Sequence, residues 1–273
     1  MRARILVAVI CVPALLAVIF LLPPVGLALL MAALCGVAAH ELLASTGYVK
    51  NRRILWFSVA AAVLVPLVGY VLPSRLGTTG ILYLVFFFLV VLCAILLRDH
   101  DSTDFTEIAA AFFGALAVPL LLSSLVSLRL MRHGIWYVLM PIVVAFSADA
   151  GALFAGMLFG KRKLAPSVSP KKTVEGAIGG TVTGAVLLLL YGLFLSRTQY
   201  LEVRYGVLIL YGLAGSLISI LGDLTFSVIK RQTGIKDYGR ILPGHGGVLD
   251  RFDSMVFCAP LLELLILVIP AIL

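Results

Sequence analysis

Charge is what this sequence has least of. Only 12% of its 273 residues are Asp, Glu, Lys or Arg, while 62% are hydrophobic and the mean hydropathy is +1.15. A soluble domain carries about a quarter charged residues. A chain this poor in them cannot cover its apolar surface against water, so its solvent is lipid. The alternating pattern of a barrel strand is missing too, and the apolar runs are long and continuous. That excludes a barrel and leaves helices, which satisfy their own backbone in hydrocarbon. The expected fold is therefore all-α and polytopic in the membrane. Cysteine is scarce: Cys11, Cys35, Cys93 and Cys258 each lie in an apolar run without metal-ligand spacing and read as small buried hydrophobes. No internal repeat and no soluble domain is visible.

What is there is a series of nine apolar runs: 5–22, 25–44, 54–72, 80–97, 108–128, 135–159, 174–195, 206–229 and 254–272. The first is too long for a signal-peptide core and a second follows Pro23 and Pro24, so it reads as an uncleaved span. With nine spans, 16 of the 21 Lys and Arg fall on the side of the N-terminus. By the positive-inside rule that side is cytoplasmic and the C-terminus lies outside. The net charge of +8 is then a topology signal and an attraction to anionic lipid, not a sign of nucleic-acid binding.

Acids buried in lipid are functional candidates because their burial is costly. In the eighth span Ser216, Ser219, Asp223, Ser227 and Lys230 share one helix face. That stripe is expected to line a cavity open to the cytoplasm, with Asp223 about 9 Å above the cytoplasmic end. Asp149 lies about 15 Å above the end of the sixth span; it reads either as a site residue or as an interhelical hydrogen bonder. Gly176, Gly180 and Gly184 recur every four residues and predict close helix packing. His40 and Glu41 sit near the cytoplasmic end of the second span, either bordering the cavity or forming a satisfied interfacial pair. The sixth loop reads KRKLAPSVSPKKTVEG. Ser169 and Pro170 are expected as N-cap and first helical residue. Lys171 and Lys172 would then sit where cations oppose the helix dipole; they read either as holding an anion there or as part of the cytoplasmic topology signal.

The most polar stretch is SVIKRQTGIKDYGRILPGHGGVLDRFD, residues 227–253. It combines Lys230, Arg231, Lys236, Arg240 and Arg251 with Asp237, Asp250 and Asp253, and folds around a Pro243–Gly247 turn. Glycines at 244, 246 and 247 let backbone N–H groups approach an anion. Carboxylates at 223, 250 and 253 beside basic residues suit Mg²⁺ bridging to nucleotide phosphates. Asp253 also reads as an N-cap. His245 reads equally as a phosphate hydrogen bonder or a residue that fixes the turn.

This stretch resembles the signature of the phosphatidate cytidylyltransferase family, the CDP-diacylglycerol synthases. Ser227, Lys230, Arg231, Lys236, Asp237, Gly239, Leu242, Pro243, His245, Gly246, Gly247, Asp250, Arg251, Phe252 and Asp253 fill that signature without a gap. Gly222 with Asp223, the run from Ser169 to Gly176, and Asp149 ahead of Phe159-Gly160-Lys161 are similar to the family as well. Phe226 stands where some members carry an acid, which weakens any role for that position as a metal ligand. The resemblance covers roughly 147–260; the first five spans match in character only.

The resemblance implies transfer of CMP from CTP to phosphatidic acid, giving CDP-diacylglycerol and pyrophosphate in a bacterial inner membrane, with the active site facing the cytoplasm. It implies Asp223, Asp250, Lys230 and Arg231 as catalytic, and Asp223, Asp250 and Asp253 as ligands of one or two Mg²⁺ ions or a second cation. Lys171, Lys172, Ser227, Lys236, His245, Gly246, Gly247 and Asp149 would bind substrate. The chain reads as one transmembrane domain, in which 1–133 serves packing, lipid access and dimer contacts and 134–273 carries the chemistry. Membrane lipid is a partner, nucleic acid is not, and a homodimer is expected from the family. Two rivals remain. A CTP-dependent lipid kinase would release CDP. A polytopic transporter would use the intramembrane acids, although they cluster at one face. A CDP-alcohol phosphotransferase is disfavoured, since the chain has no Asp-Gly-x-x-Ala-Arg run.

Overall fold

The computed structural model describes every residue except Met1, Pro73, Leu242, Pro243 and His245; of 2–8 and 74–76 it describes the backbone. The described residues fall into two compact units. One comprises Met1–Leu130 with Gln232–Phe252, the other Met131–Arg231 with Asp253–Leu273. The polar stretch 227–253 is thus shared out: its loop, with Asp237 and Asp250, belongs to the first unit, and residues 227–231 and Asp253 belong to the second.

The first unit begins with α1 (Arg2–Leu21), α2 (Pro24–Ser45), α3 (Arg52–Val71) and α4 (Ser74–Arg98). Local chemistry sets their ends. Pro24 opens α2, where its missing N–H costs nothing. Asn51 caps α3 by accepting the N–H of Arg53 at 3.0 Å. The fifth apolar stretch, 105–130, is broken: α5 (Phe105–Phe112), a π-turn (Phe113–Ala117), α6 (Val118–Leu122) and α7 (Ser124–Leu130). Pro119 cannot donate to the carbonyl one turn back, and just before it the ladder widens, Val118 N–H reaching the Phe113 carbonyl. Leu43, Ile54, Val65, Phe88, Leu92 and Leu116 form the core. Phe57 stacks on Phe88 at 5.1 Å. The opposite side of α4 exposes Tyr83, Phe86 and Phe87, apolar surface suited to lipid. Glu107 is buried and accepts the N–H of Lys50 and Asn51 at 2.8 and 2.7 Å, which ties down the turn before α3.

The second unit contains α8 (Gly134–Phe159), a hairpin of β1 (Lys163–Ala165) and β2 (Ser169–Thr173), then α9 (Val174–Thr198), α10 (Tyr205–Gln232) and α12 (Met255–Val268); α11 (Leu249–Phe252) precedes it in the first unit. Helices α8 and α9 pack with almost no space between backbones. A Cβ on Gly180 would stand 2.5 Å from the Ala148 carbonyl oxygen, and one on Gly176 2.8 Å from that of Ala152. The four-residue glycine spacing is therefore a packing face, as expected.

The hairpin corrects the reading of the sixth loop. Ser169 and Pro170 do not start a helix; they lie in β2, paired antiparallel with β1 through Ala165↔Ser169 and Lys163↔Thr173. Ser169 precedes a proline and is pushed to extended backbone. The cap is Thr173, whose hydroxyl accepts the N–H of Gly176 at 3.1 Å. Glu175 accepts the N–H of Lys161 and Arg162, closing the hairpin base. Lys171 and Lys172 are strand residues, so the argument from an unfavourable helix dipole falls away. Thr173→Ala is expected to cost about 1 kcal/mol. A lowered thermal midpoint in detergent, with the far-UV spectrum unchanged, is the check.

Seven helical stretches among the described residues, the interrupted Phe105–Leu130 counted as one, are long and apolar enough to cross a membrane; the described apolar parts Val9–Leu21 and Met255–Val268 are shorter. The all-α polytopic membrane fold holds. The expected ninth span, 254–272, does not run its length as helix. It stops at Val268 because Ile269 precedes Pro270 and leaves helical conformation (φ −137, ψ 81). Fourteen residues rise only about 21 Å, short of a hydrocarbon core of about 30 Å. The chain then pairs Ile272 with Val203 and binds the hydroxyl of Tyr137.

Candidate active site

Asp223 is the centre of the second unit's polar cluster. Its Oδ2 forms an ion pair with the Lys172 ammonium from β2. Its Oδ1 accepts the hydroxyl of Ser227, one turn further along α10, at 3.3 Å. Both charges are about three-quarters buried, with exposures of 27% and 23%. Asp253 follows α11 and is 8% exposed, its Oδ1 accepting the N–H of Ser254 at 2.8 Å. Burial, and then the nearby Asp223 carboxylate, push its carboxyl well above the usual range; Asp149 adds to this and Lys230 opposes it. Ser254 donates to Asp149 Oδ2 at 3.5 Å. The structure thus brings Asp149, Asp223, Asp253, Ser227, Lys172 and Lys230 together, from four segments of the unit.

A cavity of about 610 Å³ adjoins this cluster. That size suits a small ligand. Lys163, Lys171 and Lys172 line one side, with Asp149 and Asp223. Leu153 and Met157 line another and are themselves 60% and 64% exposed on the outer face of α8. One cavity therefore meets cations on the hairpin and apolar surface on a membrane helix.

The polar stripe of α10 divides. Asp223 reaches the cavity, but Ser216 and Ser219 are fully buried and have no hydrogen-bond partner among the described residues. Ser216 lies over Gly184, and Gly212 over Ala185. Small residues have drawn the helices together and left no wet channel there, contrary to the expected lining. Arg231 turns to the hairpin, its Nε donating to the Val168 carbonyl at 3.1 Å.

The first unit holds the loop. Asp250 is buried; its Oδ2 accepts the N–H of Tyr238 at 2.8 Å and of Gly247 at 3.0 Å. Gly247 thus gives its N–H to a carboxylate of the chain, where the sequence had suggested a ligand anion. Gly246 has φ +86, which favours glycine, and a Cβ there would stand 2.9 Å from Asp250 Oδ2. Lys236 is exposed on the same loop. His245 lies outside the described residues. Among the described residues no three His, Cys, Asp or Glu side chains form a ready metal-holding group.

A model of the cytidylyltransferase family matches residues 2–269, almost the whole chain. The chain belongs to that family. Relatives include proteins named phosphatidate cytidylyltransferase. The one from Haemophilus influenzae is 45% identical over 128 residues, covering 47% of this chain and 44% of that protein. The one from Bacillus subtilis is 41% identical over 167 residues, covering 61% and 59%. The one from Staphylococcus saprophyticus is 42% identical over 135 residues, covering half of each. The matched stretch spans about half the length of these curated relatives. Reasoning from sequence assigned no role to Lys163 or Thr173, and the structure puts both in the cavity wall, the first from a basic loop and the second as the cap of α9. For Glu41 it left two readings open. The structure pairs it with backbone amides, while the exposed His40 ring lies against Trp56.

Proposed function

We propose that the protein is a phosphatidate cytidylyltransferase. The observation that carries this reading is the cavity in the second unit, which places three lysines and a cluster of acids beside lipid-facing apolar surface in a member of the cytidylyltransferase family. A phosphate oxygen of phosphatidic acid attacks the α-phosphorus of CTP; the bond to the β-phosphate bridging oxygen breaks and pyrophosphate leaves. The nucleophile is already anionic near neutrality, so the site needs positioning and charge neutralisation more than a strong base. Lys163, Lys171 and Lys172 supply positive charge to the phosphates, and Lys230 sits beside the acids. Leu153 and Met157 receive the start of an acyl chain. Lys236 and the Gly246-Gly247 turn are assigned to substrate by the resemblance.

Oxygen-only donors suit Mg²⁺. Asp223 and Asp253 fit it: both are largely buried in one carboxylate cluster, and a cation held by both would offset the burial and the repulsion that raise Asp253. Asp250 has already committed Oδ2 to the loop backbone. One or two such ions, when bound, would stabilise charge on the transferring phosphoryl group.

The distribution of Lys and Arg supports a bacterial cytoplasmic membrane with this face inward, and a homodimer is part of the same proposal. The test uses labelled CTP, phosphatidic acid and Mg²⁺ with purified protein. Equal yields of cytidylylated lipid and pyrophosphate are expected. Release of CDP would identify a lipid kinase, and no turnover would reject an enzyme of either kind. Sealed vesicles that use CTP only from their cytoplasmic face, and a detergent-corrected mass of two chains, would support the rest.

A further inference from the structure

The first unit contains a buried carboxylate that the proposed chemistry does not use. Glu41 comes from α2 and is 3% exposed. Its Oε1 accepts the N–H of Val248 at 3.1 Å, and its Oε2 accepts that of Leu249 at 2.9 Å. Each oxygen holds one amide, so the contact fixes direction as well as position. The loop is shaped around it. A Cβ on Gly247 would stand 2.5 Å from Glu41 Oε1, and one on Gly239 2.6 Å from its carboxyl carbon. One turn later on the same face of α2, the Ser45 hydroxyl donates to the Tyr238 carbonyl. Tyr238 and Gly247 are in turn joined through Asp250. Helix α2 therefore grips both arms of the loop, Ser45 the incoming arm and Glu41 the outgoing one. Burying an acid in an apolar helix is costly, and among the described residues no cation lies within ion-pair distance of Glu41. Two backbone amides are its compensation.

We propose that Glu41 is a positioning residue: through the amides of Val248 and Leu249 it sets the conformation in which the loop presents its exposed Lys236, Arg240 and Arg251. Its bearing on catalysis rests on the reading of this loop as a phosphate-handling element. Glutamine has a single acceptor oxygen and keeps one of the two amide bonds; alanine keeps neither.

The experiment compares wild type, Glu41→Gln and Glu41→Ala as full-length protein in detergent with lipid. Amide exchange is followed at 248–249 and, as a control, along α8 and α9. Exchange at 248–249 is expected to rise in the order wild type, Gln, Ala, with the control unchanged. Turnover per folded molecule is expected to fall about 30-fold in Glu41→Ala and about fivefold in Glu41→Gln, mostly in kcat/KM for CTP. Unchanged exchange at 248–249 in Glu41→Ala overturns the anchor. Faster exchange with turnover unchanged makes Glu41 a fold residue only and overturns its positioning role. A wild type that makes no cytidylylated lipid sinks the proposed function instead, and the exchange arm still decides the anchor.

Discussion

Asp223→Asn is expected to lower the proposed cytidylyl transfer about 100-fold, a barrier increase of about 2.7 kcal/mol, while the protein stays folded. The carboxylate has two partners, the Lys172 ammonium and the Ser227 hydroxyl. An amide can keep the hydroxyl but not the ion pair, and it cannot hold a divalent cation as a carboxylate does. Stability should change little, because two effects oppose. The partly buried ion pair is lost, yet Asp253 is relieved of the neighbour that, after burial itself, holds its carboxyl above the usual range. Lys172→Met should also be slow, since the ammonium faces the cavity as well as the acid. The double variant separates roles. If each residue served only to neutralise the other, removing both would restore turnover. Both face substrate in the proposed chemistry, so the double variant is expected to stay inactive. Turnover measured per folded molecule, alongside thermal midpoints, decides; near-normal rates in Asp223→Asn would remove it from the site.

The second large effect is on folding. Gly180→Val is expected to destabilise the protein by about 3 kcal/mol or to prevent its accumulation. The added Cβ would meet the Ala148 carbonyl oxygen at 2.5 Å and the Ala152 side chain at 2.9 Å. Backbone cannot rotate away as a side chain can, so α8 and α9 must separate. The cavity draws its wall from both helices, through Ala152 and Gly156 on one and Gly176 and Ala177 on the other. Substrate protection against heat should therefore weaken together with stability. Gly206→Ala is the control. It lies in α10 with nothing within 4 Å of the added carbon, so it should be neutral or stabilising by up to about 1 kcal/mol. Equal thermal midpoints for Gly180→Val and wild type would contradict the packing argument.

Composition and run length by themselves determined that this chain lives in lipid as a bundle of helices, because so few charges cannot cover so much apolar surface. Residue spacing alone also marked Asp149, Asp223 and the glycine face of α9. These are local or one-helix properties, and a helix carries its own periodicity into the fold. What decided the rest was which segments meet. The sequence KLAPSVSPKKT has a serine before a proline in either a helix start or a strand; pairing with Lys163–Ala165 chose the strand and sent Lys172 to Asp223. Ser216 and Ser219 share the face of Asp223, but Gly184 and Gly212 close the helices over that part of it and exclude water. Asp250 and Asp253 are three residues apart and look alike in the sequence. Tertiary structure gives the first to the loop backbone and leaves the second buried beside Asp223 and Asp149. Glu41 is 207 and 208 residues distant from the two amides it holds, and no periodicity within α2 encodes those partners. Burial and hydrogen-bond partners belong to the surroundings a residue acquires on folding, and those surroundings show what holds the suspected phosphate-handling loop in place: two carboxylates, Glu41 and Asp250.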